Sequence, residues 1–327
     1  MISGYSYILN GVKFDMPFIE MIKSALPVVD EFVIVTDSRF NDGTIDRLYK
    51  LQGNGNPKLR VFVEELDLSN PGVDGATKAY ARSLCKGDYL LQMDADEVLR
   101  EQDYDKIRNI IKNWRKRWNI IGAGVVNWFN GPHFKLNSAG WTKERLSINS
   151  PNITHGIPIL SRIMRGNIYY AKRDTDGAGY INNGVGLMSD HIFADTVDIV
   201  KDIKYNKDSI WIHHYSWYNM PRKWAMKTVW HYFWGLLYGQ YKNLDDYKID
   251  LDGNPVNFWS EPVIRDLVCY VDAIANEMKE ESIIKVSGIK HPKLMDGWLK
   301  RQQVYYPKNG FLSKEVLYDG YAKYSSV

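Results

Sequence analysis

The amino-acid sequence predicts an α/β fold, a mainly parallel sheet flanked by helices and followed by a helical C-terminal region. Three observations predict it. Up to Leu99, short apolar runs of strand length alternate with segments whose apolar residues recur at helical spacing. The connections between them are rich in Gly, Asn, Asp and Pro, which punctuate elements. The fourth apolar run ends in Asp94, Asp96 and Glu97. An acidic cluster there suits the place where open α/β sheets bind ligands, beyond the carboxyl ends of their strands.

The elements follow in order. Tyr5–Asn10 reads as a strand. Pro17–Leu26 opens with proline and carries Phe18, Ile19, Ile22 and Leu26 at helical spacing. Glu31–Thr36 is a buried strand, followed by the polar loop "DSRFNDGT". Thr44 is the expected N-cap of a second helix, "TIDRLYKL". "KLRVFVEEL" is a third strand, "ATKAYARSLC" a third helix and "YLLQM" a fourth strand. This alternation implies right-handed βαβ crossovers. Asp103–Trp118 has the stripe of a further helix. Its basic face (Arg108, Lys112, Arg115, Lys116, Arg117) reads as a solvated surface. Ile120–Phe129 is another strand, and residues 150–215 read as short strands and loops. Long helices are expected at Pro221–Tyr238 and Glu261–Met278, the second with Ser260 as N-cap and Pro262 in its first turn.

The 327 residues are enough for one large or two ordinary domains, and 45% apolar content supports a sizeable core. A net charge of +3 argues against a dedicated polyelectrolyte binder. Cys85 and Cys269 make no disulfide framework and no CxxC motif. "MISGYSYILN" lacks a basic stretch before an apolar one, and no run reaches the ~20 apolar residues of a bilayer span. A cytoplasmic protein with reduced thiols is expected. The 11 Trp and 22 Tyr, mostly in the second half, suit either an aromatic core or a sugar or base site.

Two acidic loops lie at the expected carboxyl edge, at Asp37 and at Asp94/Asp96. Clustered carboxylates repel unless a cation joins them. Asp-x-Asp suits a hard divalent ion, Mn²⁺ or Mg²⁺, bridging a diphosphate. An acidic helix start would account for Asp96 and Glu97 but not for Asp94 as well.

On these motifs the chain resembles the nucleotide-binding half of GT-A-fold glycosyltransferases, most similar to family 2. The segments are "YILNGVKFDMPFIEMIKSALPVVDEFVIVTDSRFNDGTIDRL" and "GATKAYARSLCKGDYLLQMDADEVL". The resemblance implies that Leu9, Asn10 and Asp37 border the base and that Arg82 lies near the nucleotide. It places Asp94 toward the ribose or metal shell and makes Asp96 a metal ligand. "SRFNDGT" departs from the family's "SxDGT" by its bulky Arg39 and Phe40. "WIHHYSWYNMPRKWAMK" resembles the family's "HYGW" segment, which makes His214 a metal ligand with His213 as its competitor. "SRIMRGNIYYAKRDTDGAGY" resembles the "RIxR…GDxxGF" region. An inverting enzyme needs a carboxylate to take the acceptor's proton. Asp176 matches best, with Asp174 and Asp190 as competitors; Arg162 and Arg165 are phosphate contacts or strand-surface charges.

The resemblance thus implies a metal-dependent, inverting transfer of a sugar from a nucleotide sugar to an acceptor hydroxyl. Residues 1–130 form the donor half; residues 131–327 form the acceptor half and the C-terminal helices. A saccharide is the first expectation for the acceptor. A hydroxymethylated base of phage-type DNA is the second, with Arg115–Arg117, Arg222–Lys223 and Lys290–Lys293 as phosphate contacts. A nucleotidyltransferase or a non-catalytic member of the same fold is a third reading. Against the nucleotidyltransferase, "NGVKFD" offers a single Lys13 where a Gly-rich basic loop is needed.

Overall fold

The computed structural model describes residues 1–66, 73–116, 118, 120–136, 142–150, 153–155, 192–194, 199–200, 209–223, 226 and 283–302. Their frame is a nine-stranded sheet. Its strands are β1 (Ile2–Tyr7), β2 (Glu31–Asp37), β3 (Leu59–Glu64), β4 (Tyr89–Gln92), β5 (Glu97–Leu99), β6 (Ile120–Asn127), β8 (Thr142–Ile148), β11 (Ile199–Val200) and β12 (Trp211–His214). The order is β3-β2-β1-β4-β8-β6-β12-β5, with β11 beside β6. The pairs among β1 to β4 are parallel. β8 is antiparallel to both β4 and β6, so β6 and the β12 beside it run with β4. Two further antiparallel pairs lie outside this sheet: β7 (Phe134–Leu136) with β13 (Ile283–Lys285), and β9 (Ile153–His155) with β10 (Ile192–Ala194).

The α-helices among the described residues are α1 (Phe18–Ala25), α2 (Thr44–Gly53), α3 (Val73–Ser83), α4 (Tyr104–Lys112) and α5 (Asp296–Arg301). A strand covered on both faces reads as continuously apolar, and β2, "EFVIVTD", is buried throughout. Its residues alternate between two cores. Phe32 and Ile34 join Phe18, Ile22 and Leu48 of α1 and α2. Val33 and Val35 join Tyr5, Ala81 and Leu90 on the α3 side. A third cluster, Val98, Val126, Trp128, Tyr215, Tyr218, Met295 and Trp298, seats α5 against the β5/β12 end of the sheet.

The α/β class and the parallel order of the first four strands match the sequence reading. β1 starts earlier than expected, at Ile2. α4 ends at Lys112, short of the expected Trp118. Thr44 is the first residue of α2 and not its cap: Gly43, at φ 85°, takes that position. The Thr44 hydroxyl instead accepts the Val12 N–H at 3.0 Å. β8 has no counterpart among the expected elements, because Lys143, Glu144 and Arg145 break its apolar signal. The two long C-terminal helices lie almost wholly outside the described residues. Among the described residues, no helix is long and apolar enough to cross a membrane.

Gly4 allows β1 and β2 to approach. A Cβ there would lie 2.3 Å from the Phe32 ring. Gly4→Ala is expected to destabilise the fold by about 1–3 kcal/mol, as overpacked cores do. A urea melt with an unchanged midpoint would contradict this.

Candidate active site

The parallel strands place the carboxyl ends of β1, β2, β4, β6 and β12 along one edge of the sheet. The sequence-predicted residues Leu9, Asn10, Asp37, Asp94, Asp96 and His214 all follow or end these strands. After β1 the chain turns through Asn10, in the left-handed region at φ 50°, to Asp15 at φ 46°. Asp42 holds this turn: Oδ2 accepts the Val12 and Lys13 N–H groups at 3.0 and 2.8 Å, and Oδ1 accepts that of Thr44 at 3.0 Å. The Asp of "NDGT" therefore ties the first loop to the second. Asn10 is buried and Leu9 half-buried.

Asp37 is fully buried and clamped. Its Oδ1 accepts the Arg39 N–H and Nε–H, both at 2.9 Å; Oδ2 accepts Arg39 Nη2 at 2.6 Å and the Leu66 N–H at 2.9 Å. Burial alone would raise this carboxyl. The hydrogen bonds and charge of Arg39 and the bond from Leu66 outweigh burial and hold it below the usual range. A carboxyl lowered in the folded state stabilises fully above its unfolded pKa, and that stability is lost as pH falls through the folded one. The melting temperature is therefore expected to drop below about pH 4. Arg39→Met should lower the neutral-pH melting temperature and flatten that acid drop; an unchanged acid drop would count against the clamp.

The acidic turn is built from both ends. The Glu97 N–H donates to the Asp94 carbonyl at 3.0 Å, and the Asp94 N–H donates to Glu97 Oε2 at 3.0 Å. Arg145 of β8 spans the two carboxylates. Its Nε and Nη2 donate to Glu97 at 2.9 and 2.7 Å, and Nη2 donates to Asp94 Oδ2 at 2.7 Å. Lys143, two residues earlier on the same strand face, lies 3.0 Å from Glu97. Lys78 of α3 and the Gln92 amide reach Asp94 Oδ1 at 3.3 and 2.8 Å. Much of the positive charge that the acidic cluster calls for is thus supplied by the chain itself.

Asp96 points elsewhere. Its Oδ1 is 3.5 Å from His214 Nε2, and its carbonyl accepts the Tyr215 N–H at 2.9 Å. β12 pairs antiparallel with β5 in the register His214 opposite Glu97, which brings the two motifs together. Asp103 anchors the start of β12 by accepting the Trp211 N–H at 2.9 Å. Behind His214, Asn127 presents Oδ1 to Nδ1 at 2.6 Å. With Nδ1 as donor, Nε2 turns a lone pair toward the Asp96 carboxylate. That contact is favourable only with positive charge on or between the groups, either a proton on His214 or a bound cation. Burial alone would raise the Asp96 carboxyl; a charge on His214 and the ammonium groups of Lys223 and Lys143 hold it below its ordinary value.

His213 faces the other side of the strand. Its Nδ1 accepts the Trp128 indole N–H at 3.0 Å, and burial drives its pKa well down. It is an aromatic-packed core residue, which leaves His214 as the histidine beside Asp96. Arg82 is turned away from the acidic turn. Its guanidinium donates to Ser147 Oγ at 3.2 Å and to the Ile148 and Ser150 carbonyls at 2.7 and 3.3 Å, bracing α3 against the end of β8. Arg222 and Lys223, expected as phosphate contacts for a DNA acceptor, are buried. Arg222 donates to the carbonyls of Asp15 and Tyr215, and Lys223 to the Ser216 hydroxyl. Asp174, Asp176, Asp190, Arg162 and Arg165 lie outside the described residues.

The sequence reading does not single out Lys78, Lys143, Arg145 or Asn127. The signal for two of them is in "TKERLSI", where bases two apart share one face of a strand. Among the described residues, no group of three or more His, Cys, Asp or Glu side chains is disposed to hold a metal ion. Asp96 and His214 are a pair, and a carboxylate with an imidazole suits Mn²⁺ when substrate oxygens and water supply the remaining ligands.

No protein-family model matches the chain. No curated protein matches it either. Among solved structures, the chain is similar to S. aureus TarS. The 1–349 fragment of TarS in complex with UDP-GlcNAc aligns at 16% identity over 38% of this chain, with a TM-score of 0.29. The chain covers 34% of that structure's length. The same fragment without a named ligand aligns at 12% identity over 85% of this chain and 80% of its own, with a TM-score of 0.35. The likeness is coarse, and the functional reading rests on the chain's own residues.

Proposed function

We propose that the protein is a glycosyltransferase that moves a sugar from a nucleoside-diphosphate sugar to an acceptor hydroxyl. The observation that carries this reading is the Asp96–His214 pair. Residues from two distant segments converge at the carboxyl edge of the sheet, with the Asp96 carboxylate 3.5 Å from His214 Nε2. Asp96 and His214 would hold a divalent cation, Mn²⁺ or Mg²⁺. When bound, that cation neutralises charge developing on a diphosphate leaving group. With its Oδ1 2.6 Å from His214 Nδ1, Asn127 would hold the ring and leave Nε2 to a metal, the task of a partner behind a metal-bound histidine. The turns after β1 and β2, tied together by Asp42, flank the same edge and would receive the nucleoside.

Residues 1–130 would supply most of the donor site, and residues 131–327 the acceptor site. Asp176 is the proposed base that takes the acceptor's proton as its oxygen attacks the anomeric carbon. The sugar then inverts as the nucleoside diphosphate departs. A saccharide is the proposed acceptor. The burial of Arg222 and Lys223 removes one of the basic pairs that a DNA acceptor would use.

The test is a melting-temperature panel of UDP-, GDP-, CMP- and dTDP-sugars, each with and without Mn²⁺. A ligand that binds the folded state at about 100 times its Kd adds about 2.7 kcal/mol of stability. One nucleotide class is expected to raise the melting temperature in a Mn²⁺-dependent way. No shift with any of them would sink the reading.

A further inference from the structure

The acidic turn carries three carboxylates, but the structure treats them in two ways. Glu97 is fully buried, and both its oxygens accept hydrogen bonds from Arg145 while Lys143 stands 3.0 Å away. Asp94 shares Arg145 through Oδ2, and its Oδ1 meets Lys78 and the Gln92 amide. A carboxylate has about four lone-pair sites, and a fork of parallel N–H donors holds them in a fixed plane. Asp96 is turned instead to His214, across 3.5 Å; Lys223 and Lys143 add positive charge around it, and its ion-pair contact is to the imidazole, not to Arg145.

Resting on the glycosyltransferase reading, we infer that Arg145 is a positioning residue. With Lys78 and Lys143 it holds Asp94 and Glu97 out of the cation's coordination sphere, so that Asp96 and His214 alone supply the protein ligands. The Asp-x-Asp motif then divides its labour. Its first acid is locked into the protein's own ionic lattice and shapes the turn; its second meets the metal. Arg145 also keeps uncompensated carboxylates from binding a cation before the nucleotide arrives.

Free Mn²⁺, followed by its electron paramagnetic resonance signal, is titrated into the full chain, alone and with saturating UDP or GDP. Asp96→Asn is expected to weaken Mn²⁺ binding by at least about tenfold, the lower end of what losing even an outer partner costs. Asp94→Asn should stay within about threefold of wild type, because its carboxylate is no ligand and the amide oxygen can still accept from Arg145 and hold the turn. Arg145→Gln should tighten binding of Mn²⁺ alone, since it frees two carboxylates, whereas a purely structural role would weaken it. Arg145→Lys should bring the affinity back toward wild type. Where Arg145→Gln does not fold, as its melt would reveal, the Asp94→Asn titration decides. Equal losses in Asp94→Asn and Asp96→Asn would overturn the inference and leave the glycosyltransferase reading standing. No Mn²⁺ binding by wild type under either condition would overturn both.

Discussion

Asp96→Asn is expected to lower the transfer rate by about a hundredfold to a thousandfold, the range for removing one preorganised electrostatic group. The substitution keeps the volume and removes the charge. Asp96 is 6% exposed and flanked by Lys223, Lys143 and His214. The asparagine amide would present neither the negative charge a divalent ion needs nor a good counterpart for those cations. The unliganded variant should also melt lower, because buried Lys223 and Lys143 lose a counter-charge, so rates are compared well below its melting temperature. Its Mn²⁺-dependent shift with the donor should vanish. Initial rates with the nucleotide sugar chosen by the melting panel, at several Mn²⁺ concentrations, test this. A variant that keeps its rate within about threefold at every concentration would remove Asp96 from the chemistry.

The largest effect on stability is expected at Trp298→Ala, about 3–5 kcal/mol, as for other buried aromatic truncations. Trp298 is 1% exposed. Its ring meets Tyr215 and Tyr218 with centroids 5.4 and 5.3 Å away, and the Arg222 guanidinium lies 5.5 Å from it. Its indole N–H donates to the Asp15 carbonyl at 3.2 Å. Truncation would empty the centre of the third apolar cluster and loosen the turn that follows β1. Trp298→Phe keeps most of the apolar surface and should recover more than half of the loss. Urea unfolding at neutral pH measures both, and equal midpoints for wild type and Trp298→Ala would contradict the packing argument.

The sequence makes the first four strands and the three helices between them legible, because each crossover repeats the same change from a short apolar run to apolar residues at helical spacing. The acidic turn is legible too, since three carboxylates at a strand end need a reason. What surrounds it is not. Arg145 and Lys143 sit on a strand whose charged residues hide it from any apolar pattern, and its antiparallel insertion between β4 and β6 depends on pairing across the sheet. Arg82 and Arg222 illustrate the converse. A basic residue in a promising segment can be consumed by backbone carbonyls, a choice that only the packed fold reveals. "HH" is divided by the pleat of β12, which sends His213 to Trp128 and His214 to Asp96; the likeness to "HYGW" favours His214, but no period in the sequence separates the two.

The hub at Asp15 bears on the order in which the molecule comes together. Its carbonyl and carboxylate gather partners from Arg222, Trp298 and Gln302, separated along the chain by 207, 283 and 287 residues. A ribosome finishes the first βαβ crossovers long before it makes any of these partners. The β1 turn must therefore wait, with its carbonyl exposed to water, until the last of them emerges. Such long-range closure is a late and slow event. The part of the site built on that turn is therefore expected to become native after the parallel strands around it.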